Sequence, residues 1–120
     1  MKESQIEKKI REYAESQGCE LKKFTSPGWV KVPDRILITP WVIVGFIEVK
    51  KPDGDIHPKQ VRVCEHLNGR KVPSIIVDNL DEAKRFIDTL VAASRNMELL
   101  IPPDLRGEHV EHVFPEPVEE

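Results

Sequence analysis

Asp34 follows a proline, and further along Glu48 and Lys50 stand two residues apart inside the apolar run Phe46-Ile47-Glu48-Val49-Lys50-Lys51. Side chains alternate between the faces of a strand, so Glu48 and Lys50 share one face near its end. The stretch from Asp34 to Thr39 reads as a preceding strand, and Pro40-Trp41 joins the two as a hairpin. In an antiparallel pair the start of the first strand lies beside the end of the second, which gathers Asp34, Glu48 and Lys50 at one edge of the sheet. Two carboxylates brought together repel unless a cation sits between them, and Mg²⁺ or Mn²⁺ takes such oxygen ligands along with water and phosphate. A lysine beside them can then orient or activate a water. The same residues admit a plainer reading, with Glu48 and Lys50 as an edge-strand ion pair and Asp34 closing a turn after Pro33. The Pro-Asp step, the hairpin spacing and the basic surroundings favour the metal.

The elements that must hold these residues follow from periodicity. Ser4 and Glu7 have the spacing of a capping box, and Ile6, Ile10, Tyr13 and Ala14 continue at helical spacing to Gly18, which predicts a helix over 4–17. A short strand is expected over 19–24, then a loop through Thr25-Ser26-Pro27-Gly28, then the hairpin strands over 34–39 and 42–50. Lys51-Pro52-Asp53-Gly54-Asp55 is a turn, with Gly54 expected at positive φ. Pro58 opens a second helix carrying Gln60, Val63, Cys64 and Leu67 and ending at Asn68-Gly69. A buried strand is expected over 72–78, followed by a last helix whose stripe is Ala83, Phe86, Ile87, Leu90 and Val91. The order α-β-β-β-α-β-α predicts an α/β domain in which a mixed sheet is flanked by helices, because a helix between two strands implies a crossover and parallel pairing.

The net charge of −3 conceals an uneven distribution. Residues 1–95 hold 17 Lys and Arg against 14 Asp and Glu, whereas residues 96–120 hold 1 against 7. Between Lys22 and Lys71 the balance is 10 basic to 5 acidic, as a polyanion partner requires. We therefore expect one domain over 1–95 and an acidic, proline-containing tail over 96–120, its apolar groups being Leu99, Leu100, Ile101, Val110, Val113 and Phe114. No run approaches a membrane span, the N-terminus is charged where a signal peptide would be apolar, and Cys19 and Cys64 are widely spaced. A cytoplasmic protein with two reduced thiols is expected.

Val32-Pro33-Asp34-Arg35, then a hairpin, then Ile47-Glu48-Val49-Lys50, then Pro58-Lys59-Gln60 at a helix start resembles the VRR-NUC family, the virus-type replication-repair nucleases of the PD-(D/E)xK superfamily. The resemblance runs from Glu7 to about Leu90. It implies a restriction-endonuclease-like fold and an Mg²⁺- or Mn²⁺-dependent DNA endonuclease, structure-selective on branched DNA such as Holliday junctions and acting as a homodimer, in a bacterial or phage setting. It further implies that Asp34, Glu48 and the main-chain carbonyl of Val49 ligate metal and that Lys50 is the catalytic lysine. Glu7 matches the acidic residue of the first helix, against its capping-box reading, and Gln60 matches the glutamine that supports the site. Lys31, Arg35, Lys51, Lys59 and Arg62 are candidates for phosphate contacts. Trp29 and Trp41 are candidates for stacking on an unpaired base, and His57 for proton transfer or phosphate binding. His109 and His112 have no nearby thiols to support a zinc site. The rival readings are a branched-DNA-binding module that does not cut and a protein-interaction domain.

Overall fold

A computed structural model describes residues 2–97 together with Pro102, Asp104 and Leu105. Helix α1 (Glu3–Ser16) is followed by strands β1 (Glu20–Lys23), β2 (Arg35–Ile38) and β3 (Val44–Val49), helix α2 (Pro58–Gly69), strand β4 (Ser74–Val77) and helix α3 (Leu80–Ser94). The expected element order is the observed one. The four strands form one mixed sheet in the order β1-β2-β3-β4, with β1–β2 and β2–β3 antiparallel and β3–β4 parallel.

The parallel pair forces α2 to cross over the sheet, and this fixes three layers. On one face lie Leu21, Leu37, Ile47, Val49 and Val77, packed against Ile6, Ile10 and Ala14 of α1 and Ala83, Ile87, Leu90 and Val91 of α3. These apolar positions recur at helical spacing on the helices and at alternate positions on the strands, so sequence period and burial agree. Gly45 lies on this face, where an added Cβ would stand 2.7 Å from Leu90 Cδ2 and 3.3 Å from the Pro73 carbonyl oxygen. On the other face α2 covers β4 with Val63 and Leu67. Asn68 ties the end of α2 to β4, its amide donating to the Ser74 carbonyl and accepting from the Ser74 N–H (2.9 and 2.8 Å). Tyr13 of α1 donates to Asp88 of α3, with Lys84 Nζ 5.1 Å from the ring centre.

Three local expectations are corrected. Helix α1 begins at Glu3, with Lys2 as its cap residue and the Gln5 side chain accepting from the Lys2 N–H at 2.8 Å. The Ser4–Glu7 capping box therefore does not form, because the helix is already capped two residues earlier by the Lys2–Gln5 pair. In the turn after β3 it is Asp53, not Gly54, that takes positive φ (60°). Gly54 is needed there for close approach, since a Cβ would meet the Lys51 carbonyl oxygen at 2.9 Å. The β strands are also shorter than expected at their ends, where Asp34, Thr39 and Lys50 lie just outside the ladders.

At the β2–β3 connection Val42 has φ 69°. The Ile43 N–H donates back to the Trp41 carbonyl at 2.7 Å, a γ-turn at a β-branched residue. The buried Thr39 holds it, donating through both its N–H and its hydroxyl to the Ile43 carbonyl (3.1 and 2.6 Å). The Trp41 indole N–H donates to the Met97 carbonyl at 2.7 Å. Both cysteines are free, Cys19 buried in the core and Cys64 half-buried on α2. No helix among the described residues is long and apolar enough to cross a membrane. Most of the expected acidic tail, including Leu99, Leu100, Ile101, Val110, Val113, Phe114 and both His109 and His112, lies outside the described residues.

Overpacking a close approach of this kind costs about 1–3 kcal/mol. Gly45→Val is expected to lower unfolding stability by about that amount in urea titrations followed by circular dichroism.

Candidate metal centre

The β2–β3 register pairs Arg35 with Ile47, so the next step outward sets Asp34 opposite Glu48. Both belong to the sheet face away from the α1–α3 core, as do Phe46 and Lys50. Glu48 is buried at 6 % exposure, an uncommon place for a carboxylate. Its Oε2 lies 3.6 Å from Lys50 Nζ. The convergence expected from the hairpin is thus observed, and so is the ion pair of the plainer reading. The two are compatible, because Asp34 joins them without a lysine of its own.

Asp34 is half-buried. Its Oδ2 lies 3.3 Å from Arg35 Nη1, while its Oδ1 is buried with no hydrogen-bond partner among the described residues. A buried carboxylate oxygen without a partner is costly unless something positive occupies the space beside it. Burial pushes the Asp34 carboxyl above its usual range, with the Arg35 guanidinium pulling the other way. Burial, and then the neighbouring Asp34 charge, push Glu48 up as well, opposed by Lys50.

The third acidic group is Glu3, which sequence reasoning missed. Carboxylate oxygens of Glu3, Asp34 and Glu48 lie within 4.8 Å of one another, the one such group of ligating side chains among the described residues. Glu7, expected beside the metal, instead faces Arg35, with Oε1 3.5 Å from Nε. Glu3 and Glu7 are one helical turn apart and share a face of α1. That spacing was readable, but a helix start placed at Ser4 left Glu3 outside the element. Glu3, Ser4, Glu7, Asp34, Arg35 and Val49 line a cavity of about 340 Å³ over the site. Oxygen-only donors, an orphaned carboxylate oxygen and flanking cations suit a hard divalent cation.

The other expected residues are dispersed. Arg35 is engaged with Glu7 and Asp34 and also donates to the Asp34 carbonyl at 2.9 Å. Gln60 is half-buried in the first turn of α2, its amide oxygen accepting from the His57 N–H at 3.1 Å. His57 caps the same helix, Nδ1 accepting from the Lys59 N–H at 3.0 Å. Lys31, Lys51, Lys59 and Arg62 are exposed, and Lys31 has φ 67° in the loop that leads to Asp34.

No family model matches the sequence, and no curated protein matches it. The fold is nevertheless that of a nuclease-type α/β domain. A solved structure described as a VRR_NUC domain superimposes on this chain with a TM-score of 0.64 and 25 % sequence identity, over 72 % of this chain and 94 % of that one. The resemblance carried by the Pro33-Asp34 and Glu48-Val49-Lys50 motifs therefore extends to the three-dimensional fold.

A carboxylate whose folded-state pKa is raised binds its proton more readily folded than unfolded, so its ionisation weakens the fold above the usual carboxylate range. That deficit is relieved as pH falls through the raised value. Asp34→Asn is accordingly expected to melt above the wild type at pH 7 in EDTA, the gap shrinking as the pH enters the carboxylate range. Millimolar Mn²⁺ should raise the wild-type melting temperature and leave that of the variant nearly unchanged. Differential scanning calorimetry across a pH series, with and without the cation, reads both effects.

Proposed function

We propose that the protein is a divalent-metal-dependent DNA endonuclease, acting on branched DNA such as four-way junctions as a homodimer. The observation that carries the reading is the pair of Asp34 and buried Glu48, set opposite each other by the hairpin and flanked by Lys50. The likeness to a VRR_NUC domain supports the reaction class. Glu3, Asp34 and Glu48, with the Val49 carbonyl, would hold Mg²⁺ or Mn²⁺, and Glu7 keeps Arg35 in place beside them. The bound cation supplies the charge that polarises a phosphodiester oxygen and makes water nucleophilic at neutral pH.

Lys50 sits on the face of Glu48 that points to the site, where its ammonium orients the attacking water and offsets charge building on phosphate oxygens. Its pairing with Glu48 keeps the flexible side chain at that position. Gln60 and His57 fix the first turn of α2, the turn that carries Lys59. Lys31, Lys51, Lys59 and Arg62 contact backbone phosphates around the cut, positioning DNA without reading its sequence. A second copy of a chain this small would supply the second cut needed to resolve a symmetric branch.

Labelled four-way junction, flap, linear duplex and single strand, incubated with Mg²⁺, Mn²⁺ or EDTA, test the reading. Cutting should require the cation and disappear in Glu48→Ala, and Lys50→Ala should slow it by about 10²-fold or more with junction affinity unchanged. Sedimentation should show twice the 13.8 kDa chain mass. Cleavage that persists in Glu48→Ala would sink the assignment.

A further inference from the structure

Lys59, Arg62, His66 and Arg70 recur at i, i+3, i+7 and i+11 along α2 and its cap, all exposed, so they form one stripe about 16 Å long. Glu65 falls outside it by the same spacing. Because α2 is the crossover between parallel β3 and β4, it runs antiparallel to them, placing Lys59 at the end of the sheet where Asp34 and Glu48 meet. The stripe leads from the carboxylates toward the β2–β3 turn.

A second feature lies beside it. The loop after β1 folds back over the same sheet face, with Phe24 packing edge-on to Phe46 at 5.2 Å and Trp29 edge-on to His66 at 6.4 Å. A turn in which the Trp29 N–H donates to the Ser26 carbonyl at 3.1 Å fixes the backbone there. Trp29 is still 37 % exposed and Val30 57 %, so this tryptophan is propped by a histidine instead of sunk in the core. Trp41 differs: its indole N–H is tied to Met97 and its ring is half-buried.

We propose that this surface receives an unpaired strand of DNA, with Lys59, Arg62 and Arg70 tracking its phosphates and one base stacking on the Trp29 indole. A basic track with an exposed aromatic ring at its side is how single strands are gripped without sequence preference. A paired base offers no free face to a ring standing beside a helix, whereas a base splayed at a branch point does. The inference rests on the nuclease reading for its purpose, since it makes an unpaired base next to the cut the feature that selects the substrate.

The test is binding in EDTA, which needs no cleavage. In Trp41→Phe protein Trp29 is the sole tryptophan, and titration with a single-stranded thymidine oligonucleotide should quench its emission. Trp29→Ala should weaken binding of that oligonucleotide by about tenfold or more and leave blunt duplex affinity unchanged. Trp29→Phe, which keeps an aromatic ring, should retain most of the affinity and guards against misfolding as the cause. Unquenched emission, or equal weakening toward single strand and duplex, would overturn the proposal. If Glu48→Ala still cuts DNA while Trp29 is quenched, the catalytic assignment fails and this surface stands.

Discussion

The pairing of β2 with β3 is the constraint on which the rest of the molecule depends. A slip of one residue would turn Glu48 and Lys50 to the other face and put Ile47 in their place. The register is held because Leu37 and Ile47 are both fully buried under α1 and α3, so any slip exposes core and buries charge at once. Hydrophobic burial on one face thus fixes the position of ionised groups on the other. The chemistry is a by-product of where the apolar residues must go.

The price of this arrangement is charge held away from water. Glu48 is among the few buried polar groups, and Asp34 has an oxygen with no partner. Two cations contain the strain from opposite sides: Arg35 joins α1 to β2 through Glu7 and Asp34, and Lys50 stands next to Glu48. Neither satisfies Asp34 Oδ1. A carboxylate cluster that is left incompletely neutralised by its own protein is unstable alone and receptive to a divalent ion.

Much of this was legible in the sequence. Element order followed from hydrophobic period, and the meeting of Asp34, Glu48 and Lys50 followed from strand alternation plus one antiparallel hairpin. Glu3 was not legible because its role depends on where α1 begins, and a Ser-x-x-Glu pattern competes with Gln5 for that start. Glu7, the acidic residue named for the first helix, lines the same cavity one turn away and is engaged with Arg35. Arg35, a basic residue in a basic stretch, read as a phosphate contact, yet tertiary packing gives it two carboxylates as partners. The fold of the loop after β1 onto α2 also had no sequence signal, since it rests on ring contacts between Trp29 and His66 and between Phe24 and Phe46.

The left-handed Val42 at the β2–β3 turn sits at the opposite end of the strands from the carboxylates. A β-branched residue in that conformation carries about 1–3 kcal/mol of backbone strain, and its side chain is exposed, making no compensating core contact. Backbone strain at the tip of the hairpin is therefore separate from the charge that gathers at the other end of the same strands. Only the charge is tied to chemistry. Stability gained by relieving the strain at the tip can offset a costlier change at the far end of the same two strands.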